Sequence, residues 1–230
     1  MIEYKHAMTA LISEINYTLS TVNRTPPLYV RDLSVTLSGE RIVDGVSLNL
    51  EAGELLWLRG ENGSGKSTLI RAITGTLPHT GVISVFGHAP GTLEARERFY
   101  LVADDGYLFD NLTLREHAFF VTRFYARPQR ESTVLEWLGR FRLETVLEQT
   151  PAFHSRGMRQ KLSLALALGL ALPLSVFDEP YNGLDLEAQV LLDDGLRELC
   201  RGGGAVLLTT HVARDLGVHD ELVLRAGQVA

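Results

Sequence analysis

A single cysteine, Cys200, leaves no partner for an internal disulfide, so the disulfide-stapled secreted folds fall away and a reducing compartment is suited. Apolar length is also short. The longest uncharged, mostly apolar run, Leu162 to Phe177, is too brief for a comfortable bilayer span and contains Pro173. It predicts a buried helix that stops before the proline, then a buried strand. The N-terminus lacks the basic stretch, apolar core and small-residue cleavage site of a secretory leader, so secretion is not expected. Positive charge is in deficit: 28 Asp and Glu against 22 Lys and Arg give a formal charge of -6, a field that repels nucleic acid. Arg123, Arg127, Arg130, Arg140 and Arg142 alternate with apolar residues as on solvated helices, so no nucleic-acid partner is expected. There is no internal repeat and no low-complexity tract. What remains is a folded chain of 230 residues, 45% hydrophobic and 22% charged, with room for one sizeable core or a main domain carrying a smaller lobe.

Met1, Tyr4, Met8, Leu11, Ile12, Ile15 and Leu19 fall at helical spacing and predict an amphipathic helix stopped by Pro26 and Pro27. Its stripe suits packing on the domain, a partner or a membrane surface. From Leu28 the texture changes to short strands, Leu28 to Leu37 and Ile42 to Leu50, with turn signals at Ser38-Gly39 and Ala52-Gly53. A continuous apolar strand, Leu55 to Leu58, runs into a glycine-rich loop, and Ser67 to Thr74 has helical character. Further strands are expected at Val82 to Phe86, Phe99 to Ala103, Leu174 to Phe177, Ala205 to Thr209 and Glu221 to Leu224. Asn111 to about Thr150 is mostly helical in pattern, broken at Pro128, and helices are expected from Met158 to Ala171 and Leu186 to Cys200. The simplest division is an N-terminal helix and linker over 1–27, an α/β core from 28–105 and 159–230, and an inserted helical lobe over 106–158.

Gly60 to Ser67 reads GENGSGKS, a phosphate-binding loop without a mismatch. Glycines such as Gly60, Gly63 and Gly65 let successive backbone N–H groups face inward around a phosphate. Lys66 then reaches the terminal phosphates, Ser67 ligates Mg²⁺, and the start of the following helix favours the anion. Asp178 and Glu179 follow a short apolar run, where a buried strand emerges. Asp178 is expected to hold Mg²⁺, directly or through water, and Glu179 to orient and polarise the attacking water.

With these elements in order, the sequence resembles the nucleotide-binding subunits of ABC transporters from about Leu28 to Val229. GENGSGKST, Gly60 to Thr68, matches their Walker A loop, with Asn62 and Thr68 among its nucleotide contacts. Phe177-Asp178-Glu179-Pro180 matches the end of Walker B, Asn182 to Asp185 the D-loop, and His211 the switch histidine. The family signature LSGGQ appears as His154-Ser155-Arg156-Gly157-Met158, a variant familiar among subunits serving two-component exporters. The resemblance implies a P-loop NTPase core of ABC type with an antiparallel β subdomain and an inserted helical lobe. It also implies ATP and Mg²⁺ as ligands, with Lys66, Glu179 and His211 as catalytic residues. Ser155 and the backbone at Gly157 would touch the γ-phosphate of ATP held by a second subunit, so a homodimer is implied. A separate integral-membrane permease, with this chain peripheral on the cytoplasmic face, completes the picture, and export is the implied direction.

Two departures concern particular roles. Asp104, or Asp105, stands where the family commonly has glutamine; a carboxylate can reach Mg²⁺ or water but does not donate as an amide does. The aromatic that commonly stacks on adenine aligns near Leu37, leaving an aliphatic contact, with Tyr29 as a possible substitute. The stretch from Leu33 to Gly75 also resembles the ATPase of the cytochrome c biogenesis haem exporter, while SRGM resembles general two-component exporters. Two other functions are weighed: a soluble ABC ATPase of DNA repair or translation, against which stands the lack of a long coiled-coil insertion or a second cassette, and a nucleotide-controlled regulatory subunit with little turnover. The segment Phe109 to Phe120, mixing aromatics with charge, is the expected permease-docking groove.

Overall fold

Alternation of apolar and polar residues over Leu28–Leu37 (β1) and Glu40–Leu50 (β2) makes each strand half-buried, and the Ser38-Gly39 turn folds them into an antiparallel hairpin. In the computed structural model, which describes residues 25–104, 107–211, 214–216 and 220–229, Thr80–Val85 (β4) adds antiparallel on the other side of β1 to give the order β2-β1-β4. The helix expected before Pro26 and the alternative carboxylate Asp105 lie outside the described residues.

The centre of the second sheet is built from mostly apolar strands, those at Leu174–Asp178 and Ala205–Thr209 being buried along their whole length, as parallel strands covered on both faces require. Its order is β5-β6-β7-β3-β8-β9, with β3 at Leu55–Arg59, β5 at Phe99–Val102, β6 at Leu174–Asp178, β7 at Ala205–Thr209, β8 at Asp220–Arg225 and β9 at Gln228–Val229. All neighbours run parallel except the terminal β8–β9 pair. Successive residues feed different cores. Leu56, Leu58, Val176 and Leu207 pack with the β1-β2-β4 sheet and with Leu69, Ile70 and Ile73 of α1 (Lys66–Ile73). Leu55, Phe177, Val206 and Leu208 pack on the opposite face against the helical lobe and α6 (Leu186–Arg201).

Helix α2 (Leu93–Arg96) is a single turn before β5. In the lobe, α3 (Leu114–Phe124) begins with a reciprocal cap: Thr113 accepts from the Glu116 N–H, and the Glu116 carboxylate accepts from that of Thr113. Pro128 opens a 3₁₀ turn at Pro128–Arg130 that leads into α4 (Glu131–Arg140). Helix α5 (Arg156–Leu170) runs without a break across residues 158 and 159. It packs on α4 so closely that a β-carbon at Gly169 would lie 2.6 Å from the Val134 Cα. Helix α5 thus joins the lobe to the sheet as one rigid rod, starting two residues earlier than its apolar pattern suggests.

Candidate functional site

The loop between β3 and α1 closes over its own lysine. Lys66, only 6% exposed, donates from Nζ to the carbonyls of Gly60 at 2.8 Å and Glu61 at 3.2 Å. Gly65 precedes α1 with φ 100° and no side chain caps the helix, so the first N–H groups of α1 open toward the loop's hollow. A side chain at Gly65 would be strained at that φ and would bring a β-carbon to 2.9 Å from the Ile42 carbonyl. The hairpin end is therefore seated directly on the loop.

A cavity of about 530 Å³ lies in front, within the range of small-ligand sites. Asn62, Gly63, Gly65, Lys66, Ser67 and Thr68 form one side of it. Asp104, Glu179 and His211 come to it from other elements. Leu37 and Ile42 line its hairpin side. Tyr29, by contrast, is the second residue of β1, paired with Asn49 and Ser84, and is not part of the cavity lining. Gly60 lines an adjoining cleft of about 890 Å³ on the β8 side of the loop.

Register places the acidic pair. Asp178 is the last residue of β6 and pairs with Thr209 of β7. The Thr209 hydroxyl donates to Asp178 Oδ1 at 2.7 Å and accepts from the Glu179 N–H at 2.9 Å. Asp178, 8% exposed, is not among the residues that line the cavity. Glu179 turns away from the strand with φ 50°, a left-handed conformation that costs a non-glycine residue on the order of 1 kcal/mol and that Thr209 holds. Its carboxylate is thereby aimed between two cationic or donor groups. Oε1 is 3.9 Å from Lys66 Nζ, and Oε2 accepts from His211, at 3.0 Å from Nδ1 and 3.3 Å from the backbone N–H.

Ser155 and Gly157 do not line this cavity. Ser155 caps α5, its hydroxyl accepting from the Met158 N–H at 3.3 Å. A β-carbon at Gly157 would be 2.7 Å from the Gly183 carbonyl, so only glycine permits that approach. Further along α5, Gln160 donates to the Pro180 carbonyl at 3.0 Å and Lys161 to Asp185 at 2.6 Å. The start of α5 is fastened to the segment that follows Glu179.

Asp104 is more engaged than its position in the sequence suggests. Its Oδ1 accepts from Arg156 Nη2 at 3.0 Å and from Asn182 Nδ2 at 2.9 Å. Sequence reasoning missed Thr209 and Ile42 as members of the site, and gave Asn182 and Arg156 only as parts of the D-loop and signature matches, with no role of their own. Thr209 carried a signal only through its adjacency to His211.

His154, just before the Ser155 cap, is buried, and neither ring nitrogen has a partner among the described residues. Burial, and secondarily Arg159, lower its pKa below the ordinary 6.5. His117 is lowered by burial as well, with Nδ1–H on the Thr113 carbonyl and Nε2 accepting from the Phe109 N–H. Because the unfolded chain takes up these protons at higher pH than the folded one, their contribution to stability is full above pH ~6.5 and falls as acid is added below it. His154→Leu removes an unsatisfied buried imidazole at nearly constant volume. Urea unfolding at pH 8 is expected to show a gain of about 1 kcal/mol, with a shallower loss of stability between pH 6.5 and 5 than the parent shows.

A strand, a phosphate loop and a helix, with an acidic pair at the end of the neighbouring strand, define a P-loop nucleotide-binding α/β fold. The ABC transporter family model matches residues 43–182, and the chain belongs to that family. It is 34% identical over 190 residues to the ABC-type transporter ATP-binding protein EcsA of Bacillus subtilis, covering 80% of this chain and 77% of EcsA. With the Nod factor export ATP-binding protein I of Rhizobium johnstonii it shares 38% over 192 residues, covering 80% of this chain but only 60% of that longer protein. A solved structure of an ATP binding subunit of an ABC transporter superimposes with a TM-score of 0.82 at 33% identity, covering 88% of this chain and 87% of the other. A dimeric ATP-binding cassette in a post-hydrolysis state with ADP and Pi shares the fold at a TM-score of 0.77 and 22% identity, covering 88% of this chain and 96% of the other. The expected fold class and family are thus borne out.

Proposed function

We propose that the chain hydrolyses ATP in a sandwich formed by two copies, and that closing and reopening of the sandwich drive export through a separate integral-membrane permease. The observation that carries this is the Glu179 carboxylate, held between Lys66 and His211 at the mouth of the phosphate loop. Glu179 orients the attacking water and takes up its proton, Lys66 binds the terminal phosphates, and His211 steadies Glu179 and the γ-phosphoryl group under attack as ADP leaves. Gly60, Asn62, Gly63, Gly65, Ser67 and Thr68 bind the phosphates largely through backbone N–H groups. Ser155 and Gly157 complete the site of the other copy, because α5 turns them away from the cavity of their own chain.

Mg²⁺ suits the hard oxygen donors present: the Ser67 hydroxyl, the buried Asp178 carboxylate whose orientation Thr209 fixes, and the second oxygen of Asp104 through water. Bound there, the ion neutralises charge developing on the phosphates. In this reading residues 28–105 and 159–230 form the ATPase core and 106–158 the lobe that follows the nucleotide state; no role is assigned to 1–27. Export is supported by the relatives that are ATP-binding proteins for Nod factor export and for SkfA peptide export.

No helix among the described residues is long and apolar enough to cross a membrane; the proposed attachment to the cytoplasmic face is through the permease. The docking surface is the aromatic run on the loop before α3 and on α3 itself. Phe109, Phe120 and Phe124 are 49%, 41% and 66% exposed and touch ring to ring at 5.3 and 6.0 Å, an apolar ladder that a partner would cover. With the permease co-expressed, Phe120→Glu is expected to reduce the membrane-bound share of the chain about tenfold, since a charge enters an apolar contact. Undiminished retention in washed membranes would remove the docking assignment.

A further inference from the structure

Two of the places where this sequence leaves its family pattern meet in space. Asp104 stands where an amide is common and Arg156 where the signature has glycine; they are 52 residues apart in the chain, yet Arg156 Nη2 lies 3.0 Å from Asp104 Oδ1. Asn182 donates to the same oxygen at 2.9 Å. Asp104 and Asn182 line the nucleotide cavity, whereas Arg156 is the first residue of α5, directly after the Ser155 cap. The contact therefore ties the cavity to the segment that would serve the other copy's nucleotide.

Side-chain exposures of 43% for Asp104 and 64% for Arg156 make the pair weak and exchangeable. A triphosphate in the cavity brings like charge toward the Asp104 carboxylate. A guanidinium is better matched by paired phosphate oxygens than by one half-shared carboxylate oxygen. We propose that Arg156 is a two-position phosphate ligand: Asp104 is one of its partners, and triphosphate binding transfers it to the triphosphate held by a second copy of the chain. The two substitutions thus form one nucleotide-gated latch, with Asn182 keeping the Asp104 carboxylate in place. This rests on the shared-site reading above.

The test follows pairing rather than turnover, in a Glu179→Gln background that holds ATP unhydrolysed. Sedimentation equilibrium in Mg-ATP gives the dimerisation constant, and calorimetry gives the Mg-ATP affinity of each variant, so that altered loading is separated from altered pairing. Asp104→Asn frees Arg156 and is expected to tighten pairing about threefold. Arg156→Gln loses the phosphate contact and is expected to weaken it about tenfold or more. Asp104→Arg combined with Arg156→Asp restores the ion pair but presents a carboxylate to phosphate, and pairing stays at least tenfold weak. Shifts of the same sign for the two single variants, no shift, or rescue by the exchange would make the contact an ordinary brace and overturn the proposal. If the Glu179→Gln parent does not pair in Mg-ATP, the shared site itself is wrong and the latch falls with it; parental pairing with same-sign shifts sinks the latch alone.

Discussion

Glu179→Gln is expected to lower ATP turnover by a factor of about 10² to 10³, while ATP still binds and still brings two copies together. The replacement keeps the length of the side chain and its acceptor toward His211, but the amide cannot take the proton of the attacking water. General-base assistance is worth about 10² to 10⁴ in rate, and that is what the substitution removes. The backbone supports this choice of variant: the φ of 50° at Glu179 is maintained by the Thr209 hydroxyl and carbonyl, both accepting from the Glu179 N–H, and neither contact involves the side chain. Phosphate release under saturating Mg-ATP measures the effect. Turnover within threefold of the parent would require another base.

Lys66→Ala acts one step earlier, on binding. In the present structure the ammonium bonds to the Gly60 and Glu61 carbonyls, so it already sits inside the loop's curve and needs little rearrangement to meet a phosphate. Two hydrogen bonds to charged oxygens, at about 1.5–3 kcal/mol each before non-additivity, predict a loss of about 100-fold in Mg-ATP affinity by calorimetry. Lys66→Arg is not expected to restore it, because the branched guanidinium does not fit a curve closed around a compact ammonium. An affinity within threefold of the parent would place the phosphates elsewhere.

Much of this could be read before any coordinates. Alternation over Leu28–Leu37, the mostly apolar runs at 55–58, 174–177 and 205–209, and the loop at Gly60 to Ser67 each declare themselves locally, through the period of the pattern or the glycine spacing. The residues missed have a common cause. Thr209 reaches Asp178 only because β6 and β7 pair in that register, and a slip of one residue would turn its hydroxyl to the other face. Ile42 reaches the cavity through the way the hairpin sits on Gly65. The Asp104–Arg156 contact spans two elements whose meeting no local pattern records. Helix ends were also blurred: α5 begins at Arg156, where the Ser155 cap sets its start, although the apolar periodicity begins later.

The partition of the site between chains is where the account is most exposed. Glu179, Lys66 and His211 face one cavity, while Ser155 and Gly157 lie outside its lining, so under the proposed function one copy alone lacks the groups that complete its site. Turnover per chain in saturating Mg-ATP should therefore rise from near zero in proportion to protein concentration, the total rate being second order at onset, and level off once all chains are paired. Turnover per chain that stays constant across a hundredfold dilution, with the protein monomeric throughout by light scattering, would contradict it.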